Sequence, residues 1–449
     1  MASPENPLRK AVTRFFGLVL RTYFRNVEVV GDVPDEQVRG RLFGANHVNA
    51  LVDPILVVTS AKPPISPVAK HALWQIPFLR PLLDLADAVP VVRRRDDPTK
   101  AQGDNDAVFE RVGAHLATGG NILIFPEGTS HNEPSLVPLR SGAGRMLARA
   151  RSIDPAARLT VQPVGLTFDE REIFRSRALV VYGNVVSIDD LAADSPDDGT
   201  LANRITEVLR QGLADLVVEG RTWEDRVLIG QVAELLAHEG EGDAESLHTS
   251  STIGKEVQAA HRLLGDAHPA VQDVRVKVSA YYRKLAEARV SDATVRRPDA
   301  IVAERSPVAL AAFLAVLPVA LFGAALYFVP YQVPRLVARA TKEEASDMTS
   351  TTKLGVGLLV FPLWALGAAI SAFVAARSLG VGAAAASVAL VLASPFAAIV
   401  WVDHLPRLAD TFGLVLGRGR GRLEALRAAR TEARAAIEAA REKVTEARA

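Results

Sequence analysis

Short apolar runs alternate with longer segments of helical periodicity through the first part of the chain. Between residues 38 and 188 the apolar runs have the length of buried strands, and the segments between them have the spacing of helices. Alternation of strands and helices in this order is typical of an α/β domain with a largely parallel sheet. We therefore predict an α/β domain over residues 31–195.

The segment ahead of this domain has a different pattern. Residues 7–25 combine apolar side chains at helical spacing with several arginines, which predicts an amphipathic, membrane-associated helix within residues 1–30. Packing of this helix against its own domain is the alternative. Because Arg21 and Arg25 interrupt the apolar run, we do not expect a signal peptide here.

After the α/β domain the pattern changes again. Residues 196–305 are charged and have helical spacing, which predicts a helical region without a membrane span. Residues 306–403 are predicted to form a transmembrane region, because they contain three uncharged stretches that each reach the roughly 20 apolar residues needed to cross a bilayer. The stretches are residues 308–329, 354–376 and 378–402.

The last segment, residues 404–449, is a basic tail rich in Ala, Arg and Glu. Its composition predicts a helix suited to anionic headgroups or to a coiled coil. If all three apolar stretches crossed the membrane, this tail would lie outside, against the rule that basic segments stay inside. If residues 308–329 dip in and return, the other two stretches form a hairpin. We favour this second topology because of the charge bias.

Composition narrows the classes of function. A chain of 449 residues is too long for one compact core, so two or three structural units are expected. The net charge of +1 gives no argument for a nucleic acid partner, and we expect none. The chain has no cysteine, which excludes disulfides, thiolate catalysis and thiolate metal sites. We expect no metal and no cofactor.

The first candidate for chemistry is a histidine and a carboxylate on a strand-to-helix connection. His47 follows an apolar run, and Asp53 stands just before Pro54, which is favoured at the start of a helix. A histidine titrates near pH 6.5 and can take a proton from a hydroxyl, while a carboxylate on its other nitrogen fixes its tautomer. In the alternative interpretation Asp53 is a helix N-cap and His47 is an ordinary loop histidine.

A second segment supports the catalytic interpretation. Residues 121–130 form another apolar run that enters a turn with the sequence Phe125-Pro126-Glu127-Gly128. Residues 88–93 form a strand that ends at Arg93, where a guanidinium can hold a phosphate bidentately.

Together these blocks resemble the glycerolipid acyltransferase superfamily, in its His-plus-Asp block, the block that ends at Arg93, and the Phe-Pro-Glu-Gly block. Residues 161–168 match a fourth block. Five residues separate His47 from Asp53, where most members have four. This spacing, with Asn49 inside it, resembles the fungal glycerol-3-phosphate/dihydroxyacetone-phosphate 1-acyltransferases, as do residues 174–183.

The resemblance implies an α/β acyltransferase domain followed by a helical region and C-terminal transmembrane helices. It also implies transfer of a fatty acyl group from acyl-CoA or acyl-carrier protein to the first-position hydroxyl of glycerol-3-phosphate, with dihydroxyacetone phosphate as a second acceptor. Membrane lipids would surround the protein, and the catalytic domain would face the cytoplasm, where the donors are. Acylation of a lysophospholipid at the second position is one alternative, and a non-catalytic scaffold with a decayed domain is another.

The resemblance also assigns roles to residues. His47 would be the general base and Asp53 would orient it, while Glu127 would order the acceptor pocket. The residues that the resemblance assigns to substrate binding are Arg93, Glu127, Gly128, Lys70 and Arg140. One position departs from the pattern, since Ser130 stands where many members have a phosphate-binding arginine.

Overall fold

A computed structural model describes residues 6–76, 79–91, 101–238, 246–296, 311, 313–340, 348–415 and 419–448. The chain divides into two compact units. The first contains Met1–Arg226 and Glu245–Lys255, and the second contains Val227–Ala244 and Glu256–Ala449.

The first unit is built on a mixed sheet of eight strands. They are β1 (Asn26–Gly31), β2 (Arg41–Ala45), β3 (Ser66–Lys70), β4 (Val89–Val91), β5 (Ile122–Ile124), β6 (Thr160–Phe168), β7 (Arg177–Tyr182) and β8 (Val186–Ser187). The strand order is β1-β7-β6-β2-β5-β3-β4, with β8 paired to β6. Strands β2 to β6 are parallel to one another, and β7 and β8 run antiparallel to β6. The predicted α/β fold with a largely parallel sheet is confirmed, and the carboxyl ends of β2 to β6 meet at one edge.

Helices cover this sheet and complete its core. They are α1 (Pro7–Tyr23), α2 (Val52–Ser60), α3 (Arg80–Leu85), α4 (Ala101–Ala117), α5 (Gly142–Ile153), α6 (Ile188–Ala193) and α7 (Asp198–Leu216). The apolar runs of the central strands pack against α4, α5 and α7 in one hydrophobic cluster, as the strand prediction requires. Helix α7 approaches β2 closely, because a Cβ on Gly44 would lie 2.6 Å from Leu209 Cδ2. A glycine at the end of β2 thus lets α7 support the strand that leads to His47.

Helix α1 is amphipathic and packs on its own domain through one face. Its buried Arg9 donates to Asp87 and to two backbone carbonyls, those of Ile65 and Ala86, at 2.9–3.1 Å. The opposite face leaves large apolar side chains exposed, namely Leu8, Phe15 and Leu18. Packing on the domain, the alternative stated from the sequence, therefore describes one face, and lipid contact stays a prediction for the other.

The segment around Phe174 fastens the end of α1. Arg175 adopts a left-handed conformation with φ +66°, which turns the chain back towards α1. Its backbone N–H donates to Tyr23 O at 2.7 Å, and its guanidinium donates to three carbonyl oxygens at the end of the helix, those of Arg21, Thr22 and Phe24. Arg175, in the segment that resembles the fungal enzymes, therefore acts as a structural cap for α1 in this fold.

The second unit contains a helical core that includes the C-terminal tail. The helices are α8 (Trp223–Ala237, from Val227 onward), α9 (Leu247–Leu264, from Glu256 onward), α10 (Pro269–Ala288), α11 (Asp292–Arg296) and α16 (Gly419–Arg448). Apolar residues of α8, α10, α11 and α16 form one hydrophobic cluster, in which Ala433 and Ile437 of α16 pack with Val278 and Tyr281 of α10. The tail is helical from Gly419 to Arg448, and one of its faces is buried by protein.

A buried carboxylate holds the tail in this core. Asp292 accepts hydrogen bonds from Tyr281 Oη at 2.6 Å and Arg430 Nε at 2.8 Å, and it contacts His238 Nδ1 at 2.6 Å. Burial alone would raise the pKa of Asp292, but the hydrogen bonds from His238, Arg430 and Tyr281 outweigh it and lower the pKa to about 2. The network therefore favours a charged Asp292 in the folded state.

Four more helices belong to the second unit, α12 (Leu317–Leu326), α13 (Phe328–Ala340), α14 (Thr349–Ala376) and α15 (Val381–Val415). Within the described residues, two segments are long and apolar enough to cross a membrane, Thr349–Leu379 and Val381–His404. The first predicted stretch differs, because Phe313–Leu326 and Phe328–Ala340 are bent by 48° with respect to each other. Such a bend fits either a broken span or a re-entrant segment.

Replacement of Asp292 by Asn should loosen the tail helix, because Arg430 would stay buried without its counter-charge. Loss of one partner of a buried ion pair costs about 3–5 kcal/mol, which urea unfolding in detergent and limited proteolysis of the tail would measure. In the parent protein this stabilisation is fully present above the unfolded pKa of 3.8 and is lost as the pH falls towards 2.

Lys443→Gln is the matched control, since it removes only an exposed pair with Glu446. Its effect should lie within about 0.5 kcal/mol. Equal stability of Asp292→Asn and the control would show that the Asp292 network does not hold the tail.

Candidate active site

The connection between β2 and α2 wraps around one buried carboxylate. Asp53 lies in the first turn of α2 with its side chain 0% exposed. Its Oδ2 contacts His47 Nδ1 at 2.9 Å and accepts the backbone N–H groups of Val48 and Asn49 at 2.8 and 2.7 Å. The N-cap interpretation of Asp53 is wrong, since Leu51 occupies that position. With Nδ1–H donating to Asp53, the Nε2 lone pair of His47 is left to accept a proton.

Asn46 fixes the start of the same loop to the sheet. Its Nδ2 donates to Leu166 O at 3.0 Å, and its Oδ1 accepts the N–H of Leu166 at 2.7 Å. These bonds extend the pairing between β2 and β6 by one position beyond Ala45. Further along, Ala50 has φ +36°, an uncommon conformation for a residue with a side chain. The loop is therefore anchored at its start and strained near its middle.

The Phe-Pro-Glu-Gly turn supports His47 from the neighbouring strand. The imidazole of His47 stacks on Phe125, with ring centroids 4.0 Å apart and planes 20° apart. Glu127 Oε2 accepts the backbone N–H of His47 at 3.0 Å and contacts His131 Nε2 at 2.7 Å. His131 Nδ1 accepts the N–H of Glu133, so the proton of a neutral His131 lies on Nε2. A second histidine–carboxylate pair thus holds the backbone of the first.

Gly128 allows a cation to lie against this turn. Its φ is +76°, and a Cβ there would lie 2.7 Å from Arg140 Nε. The backbone N–H of Arg140 donates to Pro126 O at 2.8 Å, which fixes the arginine beside the turn. The guanidinium of Arg140 therefore lies next to the residue that follows Glu127.

Lys70 and Arg93 are the other two predicted cations. Lys70 is the last residue of β3, at the sheet edge where β2 and β5 also end. Arg93 follows the end of β4 by two residues and lies outside the described residues. The structure therefore brings His47, Asp53, Glu127, Gly128 and Arg140 together, and it puts Lys70 at the same edge.

Arg171 joins the two loops, and the sequence did not identify it. Its Nη1 donates to Val48 O in the first loop and to His131 O in the second, and its Nη2 donates to Asn132 Oδ1. The only signal in the sequence is its place three residues after β6, whose carboxyl end lies at the same edge of the sheet. One guanidinium thus cross-links the loops that carry His47 and Glu127.

This arrangement provides a base at the edge of the sheet where ligands of open α/β folds bind. His47 has a fixed ring, a carboxylate partner on Nδ1 and a side chain that is 13% exposed. Such a histidine can take a proton from a hydroxyl and later return it to a leaving group. The described residues thus supply acid–base chemistry and a cation, Arg140, for an anionic substrate.

The region around His47 is similar in sequence to known acyltransferases. Residues 26–167 match the family model described as Acyltransferase, a range that contains His47, Asp53 and Glu127. Glycerol-3-phosphate O-acyltransferase 2 of Saccharomyces cerevisiae is 39% identical over 112 residues, which are 24% of this chain and 15% of that protein. Glycerol-3-phosphate O-acyltransferase 1 of the same yeast is 30% identical over 139 residues, 30% of this chain and 18% of that protein.

A bacterial relative matches a longer part of the chain at lower identity. The 1-acyl-sn-glycerol-3-phosphate acyltransferase of Escherichia coli is 26% identical over 218 residues, which are 48% of this chain and 84% of that protein. The match with the two yeast proteins, in contrast, spans less than a fifth of their length.

Replacement of Arg171 by Gln should release the two loops from each other. Hydrogen bonds from a charged donor contribute about 1.5–3 kcal/mol, so amide hydrogen exchange of Val48 and Asn49 should become about 10- to 100-fold faster. Arg171→Lys should give an intermediate rate, because an ammonium cannot span both loops with the same geometry.

Arg151→Gln is the control, since it breaks only an exposed pair with Asp189. Exchange at Val48 and Asn49 should be unchanged in this variant. If Arg171→Gln also left these rates unchanged, Arg171 would have no role in ordering the loops.

Proposed function

Residues 26–167 form an acyltransferase domain of the glycerolipid acyltransferase superfamily, and from this premise we propose a function for the protein. It is a membrane-bound O-acyltransferase that moves a fatty acyl group from acyl-CoA or acyl-carrier protein to the first-position hydroxyl of glycerol-3-phosphate. Dihydroxyacetone phosphate serves as a second acceptor. The observation that carries this proposal is His47, held by Asp53 and Glu127 within the matched domain.

The choice of acceptor is supported by the yeast relatives. Both are named glycerol-3-phosphate O-acyltransferases, and both are more similar in sequence than the bacterial lysophosphatidate-type relative. The second candidate, acylation of 1-acylglycerol-3-phosphate at the second position, is favoured by the long match to that bacterial enzyme. The intact contacts of His47, Asp53 and Glu127 argue against a decayed scaffold.

The reaction proceeds by direct attack of the acceptor on the thioester. His47 Nε2 takes the proton of the acceptor hydroxyl as its oxygen bonds to the carbonyl carbon. The C–S bond then breaks, and the thiolate takes the proton back from His47. Asp53 holds Nδ1–H throughout and stabilises the imidazolium, in the way that a triad carboxylate does. General-base catalysis of this kind contributes about 10²- to 10⁴-fold.

The phosphate of the acceptor binds at the same edge of the sheet. Arg140 lies exposed beside Gly128, and Lys70 ends β3 at that edge. Arg93 remains the third predicted cation. These three residues take over the role of the arginine that Ser130 replaces, since guanidinium and ammonium groups both bind phosphate.

Lipid contact combines the apolar helices with α1. The segments Thr349–Leu379 and Val381–His404 cross the bilayer, and the exposed Leu8, Phe15 and Leu18 of α1 enter the lipid surface. Lys10, Arg14 and Arg21 are exposed on the same helix and meet anionic headgroups. The catalytic domain faces the cytoplasm, where thioester donors are found.

The helical core of the second unit supports one membrane topology. Helices α10 and α11 precede the apolar segments, helix α16 follows them, and all three share one hydrophobic cluster. Helices in one core lie on one side of the membrane, so the chain between them crosses an even number of times. The two long segments then form a hairpin, and the bent pair at Phe313–Ala340 is re-entrant. The tail lies inside, as the charge bias predicts.

An acceptor assay tests the proposed reaction. Purified protein given labelled acyl-CoA should acylate glycerol-3-phosphate at the first position, and His47→Ala should reduce the rate by about 10²- to 10⁴-fold because no base remains. His248→Ala, which changes an exposed histidine, should retain the parent rate. Exclusive acylation of lysophosphatidate would rule out the proposed acceptor.

Single cysteines test the topology in this cysteine-free chain. Leu379 is the last residue of the first long segment, next to the turn between the two, and is 78% exposed, which makes Leu379→Cys a suitable probe. In intact bacterial cells it should react with a membrane-impermeant thiol reagent, while Thr445→Cys in the tail should react only after permeabilisation. Labelling of Thr445→Cys in intact cells would contradict an even number of crossings.

A further inference from the structure

Two buried asparagines in the His47 loop differ in their hydrogen bonds. Asn46 is 3% exposed, and both atoms of its amide group are bonded to Leu166. Asn49 is 1% exposed, yet neither its Oδ1 nor its Nδ2 has a hydrogen-bond partner among the described residues. The amide of Asn46 is therefore fully hydrogen-bonded, whereas the amide of Asn49, three residues later in the same loop, is not.

An unsatisfied buried amide destabilises a folded protein, and most buried polar groups in native structures are paired. An apolar side chain of similar size at this position would avoid the penalty. The neighbouring Ala50, with φ +36°, is a second local departure from a relaxed structure. Departures of this kind concentrate at functional sites, where the missing partner is supplied by a ligand.

Two other unsatisfied atoms belong to the residues that hold His47. Asp53 Oδ1 and Glu127 Oε1 are buried without a hydrogen-bond partner in the described part of the chain. Their other oxygens contact His47, Asp53 at Nδ1 and Glu127 at the backbone N–H. Ionised carboxylates only accept hydrogen bonds, whereas an amide both donates and accepts. This set of atoms suits a hydroxyl group, and it would repel a phosphate.

We propose that Asn49 is a specificity-determining residue that binds the second-position hydroxyl of the acceptor. The inference rests on the proposed function, in which the first-position hydroxyl meets His47 and the phosphate meets the cations. The second-position hydroxyl accepts a hydrogen bond from Asn49 Nδ2. It donates a hydrogen bond to one of the unsatisfied carboxylate oxygens, Asp53 Oδ1 or Glu127 Oε1. Asn49 thus favours acceptors that carry this hydroxyl, and dihydroxyacetone phosphate, whose second-position carbonyl can accept from Asn49 but has no proton to donate, is the weaker acceptor.

The test compares Asn49→Leu with Asn46→Leu. In the free protein Asn49→Leu should raise the melting temperature by about 2–4 °C, because it removes an unsatisfied amide. Asn46→Leu should lower it, because the buried N–H and C=O of Leu166 lose their partner. Asn49→Ala serves as a second, smaller replacement in case leucine does not fit.

The same variants are assayed with glycerol-3-phosphate and with 3-hydroxypropyl phosphate, which lacks the second-position hydroxyl. The parent protein should prefer glycerol-3-phosphate. Asn49→Leu should lower kcat/KM for glycerol-3-phosphate by about tenfold or more and change it little for the deoxy analogue, so the preference collapses.

Three outcomes would overturn the inference alone. A lower melting temperature for both Asn49→Leu and Asn49→Ala would mean that the amide is already bonded in the free protein. Equal losses on the two acceptors would mean general damage to the site, and unchanged kinetics would mean no contact. Failure of the parent protein to acylate glycerol-3-phosphate would overturn the proposed function together with the inference. Activity of the parent protein therefore distinguishes a failure of the inference from a failure of the proposed function.

Discussion

The loop that carries His47 depends on the burial of one carboxylate. A buried ionised group is tolerated only when hydrogen bonds replace its water. For Asp53 the replacement comes from two backbone N–H groups and the imidazole of His47, all on one oxygen. The chain must therefore curl tightly between β2 and α2, and the orientation of His47 follows from that curl. The hydrogen bonds that allow Asp53 to be buried therefore also fix the position and the tautomer of the His47 ring.

A second loop makes this arrangement rigid. Glu127 accepts the backbone N–H of His47, Phe125 stacks on its ring, and Arg171 donates to carbonyls of both loops. These contacts come from β5 and β6, the strands that flank β2 on either side. Because the carboxyl ends of parallel strands meet at one edge, short loops from three strands can brace one side chain. The sheet order is thus the reason that His47 is fixed from both sides.

Local parts of this site could be predicted from the sequence, and long-range parts could not. The contact between His47 and Asp53 follows from a strand, a short connection and a helix that starts near Pro54. Arg171 was missed because its contact with Val48 crosses 123 residues of chain and depends on β6 lying beside β2. Nothing in the sequence indicated that Asn46 is hydrogen-bonded and Asn49 is not, because the partner of Asn46, Leu166, lies 120 residues away along the chain. Likewise, periodicity predicted a helical tail without indicating that Arg430 meets Asp292.

Three histidine–carboxylate pairs with a fully buried carboxylate occur among the described residues, and their surroundings separate a reactive pair from structural ones. Asp292 is bonded to Arg430 as well as to His238, so a fixed cation already neutralises its charge. His131 uses both ring nitrogens within its own loop, one towards Glu127 and one for the N–H of Glu133. Asp53 is held by neutral backbone donors, and its charge is therefore available to an imidazolium at His47. Of the three histidines, His47 combines an uncompensated carboxylate with a free Nε2 lone pair, and this combination makes it the suitable base.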